Sequence, residues 1–414
     1  MRKTLVVAGG GAAGFFCAVT AARLNPQLKV ILVEKTGKLL SKVKVSGGGR
    51  CNVTHACFSI PDMAKKYPRG SHFVKKTFHQ FFTTDTIQWF EERKVSLKTE
   101  DDGRMFPVSN TSQTVIDCLL KEANQQQVEI RLHHEIKSID YITDTHSFHL
   151  HFTNGLKLPA DFLCLACGGY PKLSMFEWIL QSGHTIEEPV PSLFTFNMPG
   201  NSINSLMGVS VPDAQVKISG ESLKERGPLL ITHWGMSGPA ILKLSAWGAR
   251  ILKEKDYRFE IRVNWLGDRP DQSVRDEIQM TRESSGGKKI RQRNTFGVPQ
   301  RLWEWLLDEA GIKDIHWADL PAVLQNKLIE LLTNQSFHVE GKTTFKEEFV
   351  TAGGIRLSET SHHTMESRIR KGLYFAGELL DVDAVTGGFN FQHAWTSGFI
   401  AGKAIAEKSL TVDS

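Results

Sequence analysis

Residues 4–14 read TLVVAGGGAAG, and this stretch decides the fold. Residues 4–8 are a short, apolar, β-branched run without alternation, which is typical of a strand buried on both faces. The small residues after the glycines predict a helix that ends near Asn25, because the proline that follows disfavours helical geometry in the residue before it. A second apolar run over 28–33 predicts another buried strand. The order strand, glycine turn, helix and strand predicts a βαβ unit.

The glycines have the G-x-G-x-x-G spacing of a dinucleotide-binding turn. Gly9 allows the tight turn, Gly11 lets a pyrophosphate approach the backbone, and Gly14 lets the helix pack closely on the strand. The helix N-terminus presents unpaired N–H groups and about half a positive charge to phosphates. Glu34 ends the second strand, where a carboxylate can accept hydrogen bonds from ribose hydroxyls. The motif by itself leaves FAD and NAD open.

The composition is that of an ordinary globular protein. The 414 residues predict two or three domains, and 41% hydrophobic with 23% charged residues excludes long disorder. Lysine and arginine number 50 against 45 acidic residues, and this net charge of +5 permits an anionic partner without requiring one. The 6 cysteines show no regular disulfide spacing, so we expect a reducing, cytoplasmic environment.

The N-terminal apolar run also has features of a signal peptide, but the register of glycines, helix and second strand favours a buried strand and helix. Elsewhere no uninterrupted run reaches about 18 apolar residues, so we expect no membrane span.

Further unusual strings lie along the chain. They are SGGGRCN at 46–52, GRMFP at 103–107, THWGMSGP at 232–239, TAGG at 351–354 and GLYFAGELLDVDAVTGGFNFQ at 372–392. In this order they resemble the BaiN/RdsA-type flavoproteins, an aminoacetone oxidase-like family of bacterial FAD-dependent NAD(P)/FAD oxidoreductases. The resemblance covers nearly the whole chain and implies FAD as the cofactor.

The last string also makes physical sense as a flavin site. A helix predicted over 390–403 begins after Gly387 and Gly388, so its N-terminus can stabilise negative charge that develops on a reduced flavin. The resemblance places Glu378 near the ribityl chain and Ile136 at a backbone contact to the adenine. The full set of predicted cofactor-binding residues is Gly9, Gly11, Ala12, Ala13, Gly14, Glu34, Lys35, Ser46, Gly47, Arg50, Cys51, Asn52, Ile136, Gly168, Gly377, Glu378, Asp383, Gly387, Gly388, Phe389 and Asn390.

The resemblance implies an α/β fold, a two-dinucleotide-binding-type Rossmann FAD domain with an inserted β-rich subdomain and a small helical subdomain. We predict the first part of the FAD domain over 1–190, the β-rich subdomain over 191–275, the mainly helical subdomain over 276–345 and the second part of the FAD domain over 346–414. Within the first part, 128–132 and 146–152 resemble strands of a β meander.

The chemistry expected of this chain is reduction of a C=C bond. The sequence has no second G-x-G-x-x-G, so NADH or NADPH is expected to bind transiently as electron donor. A proton must come from a positioned acid. His233 is the first candidate, Ser237 is placed to bind a carbonyl oxygen, and Cys51 is the second candidate acid. We expect no metal site.

Two basic clusters suit phosphate contacts, although such clusters are usually solvated faces. Ribosomal RNA is therefore a possible partner through Lys65, Lys66, Arg69, Lys288, Lys289, Arg291 and Arg293.

Three functions remain open at this point. The first is conversion of uridine to dihydrouridine in large-subunit ribosomal RNA. The second is action on a small molecule, as an enone or steroid reductase or an amine oxidase. The third is a non-enzymatic flavoprotein that binds RNA or a protein partner. A salt-sensitive basic surface favours the first function, and a deep apolar pocket favours the second.

Overall fold

The computed structural model describes residues 2–343 and 350–411. Contacts divide the chain into two compact units, Met1–Pro191 with Lys346–Ser414, and Ser192–Phe345. The predicted boundary between residues 345 and 346 lies outside the described residues. None of the helices in the described ranges is long and apolar enough to cross a membrane.

The first unit is built on a 5-stranded parallel sheet. Its strands, in spatial order, are Leu373–Phe375, Phe162–Leu165, Thr4–Ala8, Lys29–Val33 and Glu129–Arg131. The central strand is almost fully buried, as its unbroken apolar sequence predicts. The Rossmann-type α/β architecture is thus confirmed, with the predicted strand, glycine turn and helix at its centre.

Smaller sheets and helices complete this unit. Two antiparallel sheets are formed by Ile136–Ile142, Ser147–Phe152 and Lys157–Ala160, and by Thr54–His55, Arg104–Pro107 and Leu97–Thr99. Ile186–Ser192 pairs with Val350–Ile355. The helices are Ala12–Leu24, Ser41–Gly49, Ile60–Ala64, Ser71–Thr77, Thr83–Glu91, Gln113–Gln125, Glu177–Leu180 and Phe389–Leu410, with 3-10 turns at Leu173–Phe176, Leu357–Glu359 and Gly377–Leu379.

One strand assignment was wrong. Residues 128–132 were expected in the β meander, but Glu129–Arg131 pairs in parallel with Lys29–Val33 at the edge of the main sheet. The meander instead contains Ile136–Ile142 and Lys157–Ala160, on either side of Ser147–Phe152. A short strand of mixed polarity gives no sign of which sheet it joins.

The second unit contains a 7-stranded antiparallel sheet. In spatial order its strands are Gln335–Glu340, Arg258–Asn264, Ser210–Ile218, Lys224–Thr232, Gly235–Ser237, Thr195–Asn197 and Lys342–Thr343. Its helices are Pro239–Trp247, Ala249–Glu254, Asp271–Ser285, Gln300–Ala310 and Ala322–Thr333, with 3-10 turns at Ser202–Leu206 and Trp317–Asp319. Residues from the expected β-rich and helical subdomains share one core, in which Ile231 and Val263 of the sheet lie with Trp303 and Leu328 of the helices.

Two glycines allow the first helix, Ala12–Leu24, to pack closely against the C-terminal helix, Phe389–Leu410. A Cβ atom on Gly398 would lie 2.4 Å from the carbonyl oxygen of Ala13, and one on Gly402 would lie 2.5 Å from that of Cys17. Both neighbours are backbone atoms, which cannot move aside cheaply. The close packing of the two helices therefore requires glycine at both positions.

We predict that Gly402→Ala lowers the unfolding free energy by about 1–3 kcal/mol, because the overpacking penalty exceeds the roughly 0.5–1 kcal/mol that alanine gains over glycine inside a helix. Urea denaturation measures the change. The control, Lys403→Ala, alters the exposed neighbour and should stay within about 0.5 kcal/mol of the parent. Equal stability of G402A and the parent would contradict this account of the helix contact.

Candidate cofactor site

The first glycine turn leaves open space in front of the first helix. A Cβ atom on Gly14 would lie 1.9 Å from the carbonyl oxygen of Gly9, so the turn folds directly back onto the helix. Gly11 caps the helix, and the structure places no heavy atom within 4 Å of where its Cβ would be. Ala12 and Ala13 begin the helix and are buried, and its first turn contains no acidic side chain. A phosphate can therefore approach the helix N–H groups at Gly11 without meeting a side chain there.

Glu34 joins the glycine turn to the end of the second strand. One carboxylate oxygen accepts a hydrogen bond from the Gly10 N–H at 2.9 Å, and the other accepts bonds from the N–H and hydroxyl of Thr36, both at 2.9 Å. These bonds fix the carboxylate beside the turn. The oxygen bonded to Gly10 accepts only this one hydrogen bond, so its second lone pair can still accept from a ribose hydroxyl.

A cavity of about 330 Å³ lies beside this carboxylate. Four predicted residues line it, namely Gly9, Glu34, Lys35 and Ile136. The lining also includes Cys167, Tyr170, Met175 and Trp178, which are not among the predicted site residues. The ammonium group of Lys35 lies 5.4 Å from the ring centroid of Tyr170. An aromatic and apolar wall beside a ribose-binding carboxylate suits an adenosine group.

The SGGGRCN segment forms a second turn. Its three consecutive glycines all have positive φ, between 58° and 82°, and Cys51 follows with a φ of 63°. Ser46, where the helix geometry breaks, accepts a hydrogen bond at its carbonyl from the Cys51 N–H at 3.0 Å. Possible Cβ atoms on Gly48 and Gly49 would face open space, whereas Gly47 packs against Phe106. The turn therefore exposes backbone to a ligand over 48–49.

Arg50 is already occupied by other partners. Its guanidinium lies 2.5 Å from the Glu100 carboxylate and 4.0 Å above the Phe106 ring. The sequence offered no sign of this pairing, because Glu100 lies 50 residues further along the chain. The predicted contact of Arg50 to a phosphate or the flavin stays a prediction.

Cys51 and Asn52 are buried inside the segment. Burial raises the pKa of the Cys51 thiol to about 12, although a hydrogen bond with Ser46 opposes the shift, so the group keeps its proton at neutral pH. The Asn52 side chain links this segment to the C-terminal one. In the amide orientation that satisfies both of its ends, the oxygen accepts a hydrogen bond from the Gly388 N–H at 2.9 Å and the nitrogen donates one to the Thr54 carbonyl at 3.0 Å. The two predicted glycine segments are thereby brought together.

The C-terminal segment is held at several points. Glu378 accepts a hydrogen bond from the Thr351 N–H at 2.9 Å, and its other oxygen lies 2.5 Å from the Lys42 ammonium. Gly388 caps the C-terminal helix with a φ of 91°, and a Cβ there would lie 2.5 Å from the Thr54 carbonyl oxygen. The Asn390 amide exchanges hydrogen bonds with the backbone of Ala384 at 2.9 and 3.1 Å.

The remaining predicted residues of the site lie nearby. The carbonyl of Gly387 is 3.0 Å from His55 Nδ1, and the Phe389 ring lies 4.5 Å from the His55 ring. A Cβ on Gly377 would lie 2.8 Å from that of Ala13, so this turn reaches the start of the first helix. Gly168 follows the strand Phe162–Leu165 with a φ of 76° and faces open space.

Asp383 forms an ion pair that the sequence did not predict. Its carboxylate is completely buried and forms a two-point ion pair with the guanidinium of Arg69, which is 13% exposed. A buried carboxylate paired in this way anchors the loop. The predicted cofactor contact of Asp383 and the predicted RNA contact of Arg69 stay predictions.

His393, on the C-terminal helix, is a buried group outside the predicted set of site residues. Burial lowers its pKa to about 4, and Nε2 lies 3.3 Å from the Gly377 carbonyl oxygen, so the ring is neutral at physiological pH. Nδ1 has no hydrogen-bond partner among the described residues. A buried nitrogen without a partner, next to the Gly377 turn, suits a site that receives a polar ligand.

The two candidate catalytic residues of the second unit share one hairpin. His233 is exposed in the turn that joins Lys224–Thr232 to Gly235–Ser237, and its ring meets Trp234 edge-on at 4.3 Å. Ser237 is half-buried at the end of the second strand. The structure thus brings these two residues into one local element.

Most of the predicted basic residues have acidic partners. Lys65 pairs with Asp62, Lys289 with Asp314 and Arg291 with Asp308. The other members are Lys66, Lys288 and Arg293, all of them exposed. The basic clusters are therefore less strongly charged than the sequence suggests.

Comparison with known proteins agrees with this geometry. The family model described as the HI0933-like protein Rossmann domain matches residues 3–404. The chain belongs to this HI0933-like family.

Curated relatives match along their whole length. The ribosomal RNA dihydrouridine synthase of Escherichia coli K12 is 30% identical over 418 residues, which is 99% of each chain. The 3-dehydro-bile acid delta(4,6)-reductase of Clostridium scindens is 27% identical over 411 residues, 97% of this chain and 98% of the relative. The solved 3-ketosteroid-delta4-(5alpha)-dehydrogenase of Rhodococcus jostii RHA1 has a similar fold, with a TM-score of 0.52 and 11% identity over 98% of this chain and 97% of that one.

The HI0933-like protein is an FAD-dependent oxidoreductase, and its residues fit the cofactor. The open space at Gly11 would receive the pyrophosphate, and the cavity beside Glu34 would receive the adenosine group. When bound, FAD supplies the electron transfer, and the protein supplies binding, orientation and electrostatics.

We predict that Gly11→Ala weakens FAD binding at least roughly tenfold without loss of apoprotein stability. The backbone there has a φ of −97°, which alanine adopts readily, but the new methyl group occupies the open space in front of the helix. Titration of FAD into apoprotein measures the affinity.

The matched control is Gly287→Ala, since nothing lies within 4 Å of a Cβ at that position either, and it belongs to the second unit. An unchanged FAD affinity in G11A would mean that the glycine turn does not face the cofactor.

Proposed function

We propose that this HI0933-like protein is an NAD(P)H-driven reductase that converts uridine to dihydrouridine in large-subunit ribosomal RNA. The observation that carries the proposal is the 30% identity to the ribosomal RNA dihydrouridine synthase of E. coli over 99% of both chains. The net charge of +5 suits an anionic substrate. Such a substrate would place the protein in the cytoplasm, and the described cysteines are all free thiols, as a reducing compartment favours.

Reduction of the uracil C5=C6 bond adds a hydride to one carbon and a proton to the other. NADH or NADPH would supply the hydride equivalent through transient binding, because the sequence has no second dinucleotide motif. The chain itself must position the base and supply the proton.

His233 is the favoured proton donor. It is exposed on its hairpin, where a substrate base can reach it, and Ser237 on the same hairpin has a hydroxyl that can bind a carbonyl oxygen. Cys51 is disfavoured, because burial raises its thiol pKa to about 12 and makes it a weak acid at neutral pH. Exposed Lys66, Lys288 and Arg293 would contact phosphates with little sequence preference.

A small-molecule substrate is the second candidate function. It is favoured by the 27% identity to the bile acid reductase of C. scindens over 97% of this chain. That relative's name describes an enone-type steroid substrate, which needs the same hydride and proton addition. The two candidates therefore differ in what the site admits and share the reaction type. Membership in an oxidoreductase family favours either of them over a non-enzymatic role.

We predict that one dihydrouridine disappears from large-subunit ribosomal RNA when the gene is deleted and returns when it is restored. Nucleoside mass spectrometry of purified RNA measures it. Complementation with His233→Gln should restore much less of the modified nucleoside than the parent gene, whereas Lys94→Gln, at an exposed position, should restore it fully.

Unchanged ribosomal RNA after deletion would remove this proposal. Reoxidation of the reduced enzyme by steroid enones, followed under anaerobic conditions, would then decide for the small-molecule function.

A further inference from the structure

A second cavity lies on the first unit, among residues to which no role has been given. It is a groove of about 480 Å³. One wall is the short helix Ser71–Thr77 with Gly70 before it, and the other is formed by the 3-10 turn Leu357–Glu359 and the chain that follows. None of the predicted cofactor-binding residues lines this groove.

The groove is rich in positive and protonatable groups. Lys76 and Arg368 line it and are exposed, and His72 and His362 line it as well. Glu359, the acidic residue of the same turn, is directed elsewhere, because its carboxylate accepts a hydrogen bond from the Thr185 N–H at 2.8 Å. Coulomb attraction in the groove therefore favours an anion.

The pKa of His362 reflects the positive charges around the groove. Burial lowers the pKa of its imidazole, and the neighbouring positive charges of His363, Lys76 and Arg368 lower it further. The His362 and His363 rings lie only 4.0 Å apart. An anion placed among these groups would relieve their mutual repulsion.

Thr360 supplies an independent sign of a ligand. The residue is 2% exposed, and its hydroxyl has no hydrogen-bond partner among the described residues. Its backbone is fixed, because its N–H donates to the Leu357 carbonyl at 3.2 Å and it bridges to Ser367. A buried hydroxyl without a partner is costly, so one that lines a cavity points to a group that completes it.

We propose that this groove binds a phosphate group, with the charges of Lys76 and Arg368 attracting it and the Thr360 hydroxyl donating a hydrogen bond to it. Phosphate oxygens accept hydrogen bonds from hydroxyl groups and from cationic side chains, and charge-assisted hydrogen bonds are strong. The phosphate would come from a polynucleotide backbone or from the 2′-phosphate of NADPH. The inference does not depend on which molecule the enzyme reduces.

The groove adjoins the segment that leads to the C-terminal glycines. Gly70 lies so close to Val382 that a Cβ atom would be 2.6 Å from its side chain. Arg69 and Asp383, which form an ion pair, are the chain neighbours of Gly70 and Val382. A bound phosphate would therefore lie beside a loop that the fold already ties to the C-terminal turn.

Calorimetric titration of the FAD-loaded protein with inorganic phosphate tests the inference. Thr360→Val removes the hydroxyl without changing the side-chain shape, and Lys76→Gln removes one charge. Each should weaken phosphate binding roughly tenfold. The control is Lys75→Gln, which alters an exposed lysine on the same helix that does not line the groove, and it should bind phosphate as the parent does. The T360V protein should fold normally, because it loses a buried hydroxyl that has no partner.

Two further titrations identify the source of the phosphate. If K76Q and T360V weaken binding of a short single-stranded RNA and leave the KM for NADPH unchanged, the groove takes a polynucleotide. If they raise the KM for NADPH and not that for NADH, it takes the 2′-phosphate. If both variants match the parent and K75Q with phosphate, RNA and NADPH, the inference is overturned. Phosphate binding together with unchanged ribosomal RNA in the deletion strain would remove only the proposed function.

Discussion

The architecture of the cofactor site depends on the close backbone contacts of the first helix. At its start, Gly14 leaves room for the Gly9 carbonyl, and along its length Gly398 and Gly402 leave room for the carbonyls of Ala13 and Cys17. A Cβ atom at any of these three glycines would meet backbone, so the turn and the two helices can pack this closely only with glycine there. At Gly11, in the same turn, the Cβ position instead faces open space at the helix N-terminus.

Local sequence predicted the parts of the site that depend on adjacent residues. The strand Thr4–Ala8, the glycine turn and the helix Ala12–Leu24 follow from composition and spacing over fewer than 25 positions. Glu34 also lies where its distance from the turn suggested, with its carboxylate bonded to Gly10.

Contacts between distant segments were not predictable. Asp383 pairs with Arg69, which is 314 positions away. In the same way, Arg50 faces Glu100, and Tyr170 joins the cavity beside Glu34 from another strand connection. A single sequence shows that these charges and rings exist, but only the fold decides which of them meet.

The charges also show why a net positive sequence is weak evidence for an RNA partner. Three basic residues of the predicted clusters are paired with aspartates, so their contribution to the surface potential is largely cancelled. The groove with Lys76 and Arg368 has fewer basic residues, but it is also lined by Thr360, whose buried hydroxyl has no hydrogen-bond partner among the described residues. A cavity that combines cations with an unpartnered hydroxyl, more than the number of lysines, distinguishes a binding site from a solvated surface.

The central claim is that the glycine turn and the cavity beside Glu34 together hold a complete FAD. The most direct measurement is chromatographic identification and quantification of the flavin that heat releases from the purified, FAD-reconstituted protein after competition with excess FMN. We predict one FAD per chain with FMN excluded, because only FAD has the adenosine group that fills the cavity. Equal retention of FMN, or retention of no flavin, would contradict the account.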